Sequence, residues 1–394
     1  MKMSMESEYL YTGEHVEGMD LKPEALPLFL TTAFVMDDLT EVGEVYAKKG
    51  YTYIRTANPN RHALAETITM LEGGAATDIF GSGMGAITST LLCLVEKGDH
   101  ILCNKDIYGE TYNVMEEIMP KCSVDVSYAQ LHDLEAAKAA IRSNTKIVYT
   151  EVVSNPTIRI ADIEGLAKLA HEVGALLIVD NTFTSPFAIR PIEHGADMVI
   201  NSLTKFLNGH SDAMGGSLTI ADGSMLGTLH HMAMLCGTPG DPFSSWLIQR
   251  GLRTAALRIP RQIETAAKLA HALEKNKHVT LVNHTSLDSH PQRELAKKLL
   301  GEDGGSAMLS FIVPEDIKKI DVFMGKLRYA RYAPTLGGFR TTMSHPVTSS
   351  HPNVPDDVRR AMGITPGMIR ISVGIEKAEE LIADFEQALT AFDD

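Results

Sequence analysis

Between residues 76 and 217, short β-branched or aliphatic runs alternate with amphipathic stretches whose apolar residues recur every three or four positions. No other feature constrains the fold as much, because such a rhythm is satisfied by parallel strands joined through crossover helices. Strands are expected at 101–103, 147–149, 176–179 and 198–200. Helical patterns fall at 132–142 and at 162–173, the latter led by the capping residue Asp162. The expected class is α/β, a mostly parallel sheet sandwiched by helices. Ligands of such sheets collect beyond the carboxyl ends of the strands, so the residues just after each strand carry the functional signal.

After Ser244 the rhythm gives way to a helical tract over 244–275, where Pro260 is expected to kink the helix. A strand at 307–313, a helix at 317–326, a strand at 368–373 and a closing helix at 378–392 complete a smaller α+β domain. The first 58 residues hold no sustained period. The expected division is an arm over 1–58 that contacts a neighbouring subunit, a large domain over 59–245 and a C-terminal domain over 246–394.

Fifty acidic residues against thirty-six basic ones leave a formal charge of -14. Phosphate backbones and anionic membrane surfaces would repel such a chain, so a small-molecule partner is expected and nucleic acid is not. The longest apolar stretch, 86–95, is too short to span a bilayer. Residues 1–15 lack a basic-then-apolar leader. Cys93, Cys103, Cys122 and Cys236 lack the paired spacing of zinc or redox motifs, and a cytoplasmic chain with reduced thiols is expected.

Three strand ends carry candidate chemistry. Phe80 is followed by Gly81, Ser82, Gly83, Met84 and Gly85, small residues that open a helix and could present free N–H groups to a phosphate, or simply form a tight turn. Asp180 closes the strand 176–179 at the ligand edge, where its carboxylate asks for a positive partner, unless it only caps a turn. Lys205 follows the strand 198–200 among Ser202 and Thr204. An apolar strand end lowers a lysine pKa toward nucleophile or base duty, although a surface loop lysine would look similar. A phosphate cradle, an aspartate and a lysine in that order match the phosphate, pyridine nitrogen and aldehyde of pyridoxal 5'-phosphate.

At these residues the chain resembles the Cys/Met-metabolism enzymes of the fold-type I pyridoxal phosphate superfamily, aspartate aminotransferase-like in fold. That family includes cystathionine γ-synthase, cystathionine γ-lyase and methionine γ-lyase. The matches run from Tyr53, Arg55, Asn58 and Pro59 through Tyr108 and Gly109, Ser154 to Pro156, and Asn208 to Asp212, then Leu336 to Gly338 and Ile369 to Gly374. The resemblance implies that Lys205 bonds the cofactor aldehyde and that Asp180 keeps the pyridine nitrogen protonated. It also implies that Tyr108 stacks on the ring, and that Gly83, Met84, Ser202 and Thr204 hold the phosphate. Tyr53 and Arg55 would reach the phosphate of a neighbouring subunit, making a catalytic dimer and, from two dimers, a homotetramer. Asn155 and Arg370 match positions near the cofactor oxygen and the substrate carboxylate, and Thr335, at a position that is usually serine in the family, is implied to contact the substrate as well.

The implied reaction is γ-elimination on a sulfur-containing or related amino acid, with Lys205 moving protons and Tyr108 as general acid. The alternative is γ-replacement on an O-acyl-homoserine. Two positions depart from the family pattern: Glu110 where glycine or cysteine is usual, and Arg340 where many relatives carry glutamate. Both are expected to shape the pocket of the γ-substituent, or to pair with each other. His230, His231, His345 and His351 invite a metal reading that no carboxylate or cysteine at ligand spacing supports. No metal is expected.

Overall fold

The computed structural model describes residues 3–16, 23–48, 50–349 and 356–393. Its larger sheet contains β1 (Ala76–Phe80), β2 (His100–Asn104), β3 (Asp125–Ala129), β4 (Thr145–Glu151), β5 (Leu176–Asp180), β6 (Met198–Ser202) and β7 (Gly216–Ile220). Their order is β1-β7-β6-β5-β4-β2-β3. All pairs from β6 to β3 are parallel, whereas β7 runs antiparallel to both β6 and β1.

Alternation along each strand sorts its side chains to two faces. Val148, Leu177, Val179 and Val199 pack with the helices Pro59–Glu72 and Ile163–Glu172 on one face. Ile147, Tyr149, Ile178, Met198 and Ile200 pack with Gly83–Leu94 and Leu226–Cys236 on the other. Both faces are therefore dry, which explains the near-continuous apolar runs in the central strands. Asp162 caps its helix as expected, accepting the Gly165 N–H at 3.1 Å.

A second sheet joins β8 (Leu281–Asn283), β9 (Met308–Ile312), β10 (Arg331–Tyr332), β11 (Thr342–Ser344) and β12 (Met368–Ser372) in the order β10-β11-β12-β9-β8. It packs on the helices Ile317–Lys326 and Ala378–Leu389 through a separate core around Phe311, Phe323 and Phe385. The helix Ala255–Glu274 links the two cores, with Ile259 in the first and Leu269 and Leu273 in the second.

Two sequence expectations are corrected here. The tract 244–275, expected as one helical tract, breaks into the helices Pro242–Leu252 and Ala255–Glu274, with Pro260 inside the second. The break has an identifiable cause. The Gly251 carbonyl accepts from Arg258 at 2.9 Å and from Thr254, and so leaves the helical ladder. In the arm, where no periodic element was expected, Leu39–Ala47 forms a helix whose cap Asp38 accepts from Thr40 and Glu41 at 2.8 Å each. None of its residues is buried, which is why hydrophobic periodicity did not reveal it.

Behind the ligand edge lies a buried polar knot. Asn201 points to the face opposite Ser202 because neighbouring strand residues alternate. Its amide donates to Glu72 Oε1 at 2.6 Å, and the amide of Asn181 donates to the same carboxyl at 3.2 Å. Glu72 is fully buried, and this desolvation holds its pKa up at about 7 against an ordinary 4.5. Glu72 thus ties the back of β6 to the turn after β5, fixing the two strand ends that carry Ser202 and Asp180.

The folded state binds the Glu72 proton more tightly than the unfolded chain. Its contribution to stability is full below about pH 4.5 and is lost as pH rises toward 7, a change worth about 3 kcal/mol. Glu72→Gln carries no titrating group there. In urea unfolding the variant should gain about 3 kcal/mol relative to the parent between these pH values. A difference between the two that does not vary with pH would contradict this assignment.

Candidate functional site

Five strand ends of the larger sheet open onto one cleft of about 370 Å³. After β1 come Ser82, Gly83 and Met84; before the helix Gly109–Glu117 stands Tyr108; after β4 come Val153 and Asn155; β5 ends in Asp180; β6 runs into Ser202, Thr204 and Lys205. The second sheet supplies Arg370 from β12, with Thr335 and Leu336 from a preceding loop.

The anion end is built from backbone. Ser82 caps the helix Gly83–Leu94 by accepting the Gly85 N–H at 3.0 Å, and the Ala86 N–H bonds to the Ser82 carbonyl. Among the described residues the N–H groups of Gly83 and Met84 are left as unpaired donors of the helix start, with the positive end of its dipole behind them. A side chain at Gly83 would place Cβ 3.0 Å from Ser202 Cβ, a contact tight enough that Ser202 would have to give way, so glycine lets these two segments close together without a shift. The Ser202 N–H donates to Thr182 Oγ1 at 2.8 Å, fixing the strand end. Thr204 is already occupied, accepting the Gly215 N–H at 3.0 Å and donating to the Gly215 carbonyl at 3.2 Å.

Lys205 lines the cleft with no hydrogen-bond or ion-pair partner among the described residues. Burial, and then the charge of Arg370, lower its pKa, which favours the neutral amine. Its turn is held from behind by Arg258. That buried guanidinium donates to the carbonyls of Phe206 (3.0 Å), Leu207 (3.2 Å), Asn208 (3.3 Å) and Gly251 (2.9 Å). Gly337, at φ +75°, packs against the Lys205 backbone so closely that a Cβ would come 2.7 Å from the Lys205 carbonyl carbon.

Asp180 sits at the cleft floor and accepts the Thr182 N–H at 2.9 Å; burial raises its pKa and the Thr182 bonds oppose that. Arg370 is 6% exposed and donates to Asn155 Oδ1 at 3.0 Å and to the Thr335 carbonyl at 3.5 Å. Desolvation brings its pKa down to about 10, so it remains a cation at neutral pH. Tyr108 lies half-exposed at the cleft wall. Burial and the charge of Glu110 raise its hydroxyl pKa and keep it protonated, with Arg370 acting in the opposite sense.

Of the residues singled out from sequence, the cleft gathers Gly83, Met84, Tyr108, Glu110, Asn155, Asp180, Ser202, Thr204, Lys205, Thr335 and Arg370. It does not gather Tyr53 and Arg55, whose guanidinium instead donates to the Met234 carbonyl at 3.1 Å and stands 6.0 Å from the Tyr53 ring. Arg340 is also outside the lining. Its guanidinium lies 5.0 Å from the Phe339 ring, and it makes no ion pair with Glu110 among the described residues. Glu110 accepts instead from Asn113 at 3.2 Å. The expected pairing of the two charges is therefore corrected. His230 bonds Asp78, and His345 bonds Thr348 and the Pro366 carbonyl, whereas His351 lies outside the described residues.

The sequence reading missed Glu151, which closes β4 and lines the cleft beside Asp180. The signal was available, since β4 runs two residues past the expected 147–149 and ends in a carboxylate as β5 does.

These features fit pyridoxal phosphate: a helix start with free N–H groups for phosphate, a strand-end carboxylate for a ring nitrogen, and an unpaired amine for an aldehyde. The chain is 40% identical over 340 residues to cystathionine gamma-lyase of Bacillus subtilis, covering 86% of this chain and 89% of that protein. It is 36% identical to cystathionine beta-lyase of Lactococcus lactis, covering 93% of each. The crystal structure of cystathionine gamma synthase from Xanthomonas oryzae pv. oryzae superposes with a TM-score of 0.92 at 33% identity, covering 99% of both chains. No helix among the described residues is long and apolar enough to cross a membrane. With residues 7–390 matching the family model as well, the chain belongs to the Cys/Met metabolism PLP-dependent enzymes.

Proposed function

We propose that this protein is a lyase that eliminates the γ-substituent of a sulfur-containing or related amino acid, giving a 2-oxo acid, ammonia and the released group. The observation that carries this reading is the pairing of an unpartnered, desolvated Lys205 amine with a protonated Tyr108 across a cleft closed by the Arg370 cation. Bound pyridoxal phosphate supplies an electron sink for negative charge on the carbons next to the amino group.

The chain supplies the rest. The N–H groups of Gly83 and Met84 and the Ser202 hydroxyl bind the phosphate, with Thr204 bracing the turn through Gly215. Asp180 holds the proton on the ring nitrogen. Arg370, kept planar by Asn155 and the Thr335 carbonyl, takes the substrate carboxylate in a two-point grip that also orients the Cα–H bond. Lys205 Nζ removes the Cα proton, a task for which the neutral amine is required, passes it on to the electron sink, and then removes a Cβ proton, whose loss the departure of a γ-group requires. The Tyr108 hydroxyl then delivers a proton to the departing γ-group, and its raised pKa keeps that proton available through neutral pH.

Tyr53 and Arg55 are proposed to serve the cleft of a second subunit. Both are exposed, and Arg61 holds their segment by donating to the carbonyls of Ile54 (3.0 Å), Arg55 (3.2 Å) and Thr56 (2.7 Å). Leu30, Val35 and Leu39, 70%, 92% and 88% exposed, provide apolar surface along the same arm. A catalytic dimer, doubled to a homotetramer, would cover it. A cytoplasmic setting is supported by the four cysteines, all of them free thiols.

With cystathionine as substrate and no added thiol, the expected products are 2-oxobutanoate, ammonia and cysteine. Pyruvate with homocysteine would instead mark β-elimination. A thioether formed only from an activated homoserine plus thiol would mark γ-replacement and overturn the proposal. Tyr108→Phe is expected to lower turnover by about 10²-fold or more with little change in cofactor binding. Glu110→Gly should reorder the preference among methionine, homocysteine and cystathionine, whereas Arg340→Glu should not. Equal effects of the two substitutions would contradict the placement of Glu110 alone in the lining.

A further inference from the structure

The helix Leu226–Cys236 meets the segment that carries Tyr53 and Arg55 at two points. Arg55 donates to the Met234 carbonyl at 3.1 Å, and His230 Nε2 stands 2.9 Å from the Thr56 carbonyl. The other ring nitrogen of His230, Nδ1, is 2.9 Å from Oδ2 of the buried Asp78 on β1. A backbone carbonyl only accepts, and so does a carboxylate while it is ionised. Asp78 is favoured in that form, because its Oδ1 accepts the Ile79 N–H at 2.9 Å and its charge interacts with the guanidinium of Arg61. Both nitrogens of His230 must therefore carry hydrogen, which makes the ring an imidazolium.

At Thr56 this cation meets a second one. The Thr56 carbonyl accepts from Arg61 at 2.7 Å as well as from His230, and Arg61 also holds the carbonyls of Ile54, Arg55 and Gly240. The turn is closed by the N–H groups of Thr56 and Ala57, which donate to the Tyr53 carbonyl at 2.9 and 3.0 Å. The charged groups around His230 are Asp78 and Arg61, with Arg55 one turn along the helix at Met234. Its own helix adds only His231 and Cys236 as titrating groups, and Gly83–Leu94, which packs beside it, adds only Cys93. The hydrogen bond to Asp78 raises the His230 pKa above its ordinary 6.5, against burial and the charge of Arg61. When the ring loses a proton, the one that remains goes to the stronger acceptor, the carboxylate, and the Thr56 carbonyl loses a donor.

We infer that His230 is a positioning residue for the cofactor phosphate of the neighbouring subunit: its imidazolium ties the Thr56 carbonyl to Asp78 and so fixes the turn that presents Tyr53 and Arg55. The inference rests on the reading, given above, that these two residues serve a second subunit's cleft. It makes the grip on the phosphate sensitive to pH. The contribution of His230 is full below about pH 6.5 and is lost as pH rises through its raised pKa.

The test measures the cofactor dissociation constant of the full-length enzyme from about pH 6 to about pH 9.5 for the parent, His230→Gln, Asp78→Asn and Arg55→Ala. Glutamine donates a hydrogen bond without titrating, and every other titration of the site is common to parent and variant. Relative to His230→Gln, the parent should weaken by about fivefold as pH rises, the worth of one hydrogen bond. Asp78→Asn should move that fall to lower pH, because an amide does not hold the imidazolium as a carboxylate does. A parent-to-glutamine ratio that does not vary with pH would overturn the proposal, and so would a fall that keeps its place in Asp78→Asn. Arg55→Ala should weaken binding throughout. If it does not, the reading of the arm fails and takes this proposal with it, whereas a constant ratio beside a weakened Arg55→Ala removes His230 alone. Should Asp78→Asn not fold, the glutamine comparison decides. No turnover is measured, so the outcome is independent of the elimination chemistry.

Discussion

The parallel register of β4, β5 and β6 is the constraint on which the rest of the site depends. Parallel strands end at a common edge, and alternation along each strand decides what its last residues face. One step along β6 separates Asn201, locked into the Glu72 knot on the back of the sheet, from Ser202 at the ligand cleft. The same step in β5 separates buried Val179 from Asp180. A slip of one residue in any of these strands would exchange anchor for ligand. The polar knot around Glu72 makes such a slip costly, because it would bury unpaired amides.

A second requirement is control of charge in a dry space. Arg258 and Arg370 are both buried cations with pKa values near 10, but they differ in what surrounds them. Arg258 is saturated by four carbonyl acceptors and acts as a structural clamp on the Lys205 turn. Arg370 makes one contact at 3.0 Å and a longer one at 3.5 Å, and so keeps donors in reserve for a carboxylate. Its field also reaches Lys205 and Tyr108, lowering the amine pKa and restraining that of the phenol. One residue from the smaller sheet thereby tunes two groups on the larger one, which couples the two sheets through electrostatics at the cleft.

Much of this was legible in the amino-acid order, and the exceptions have physical causes. Lys205, Asp180 and the helix start after Phe80 could be read because each directly follows a periodic apolar strand. The helix Ile317–Lys326 was readable end to end from its apolar spacing. Arg258 was not, because its carbonyl partners Phe206, Leu207 and Asn208 lie some fifty residues upstream and only the folded chain brings them together. Glu72 likewise gave no local sign, being a glutamate at the end of an ordinary helix. For Arg340, family position suggested a pocket residue, whereas in this chain its guanidinium lies over the Phe339 ring, outside the residues that line the cleft. The antiparallel β7 was not foreseen, since the βα rhythm that precedes it gives no warning of a reversal.

The central claim is that the unpaired amine of Lys205 is the point at which the cofactor is attached. Borohydride reduction of the holoenzyme fixes the cofactor to whichever amine holds it, and peptide mass spectrometry then locates the modified residue. The account requires the phosphopyridoxyl mass on Lys205 alone, and its loss in Lys205→Ala. Label on another lysine, or label that survives that substitution, would contradict it.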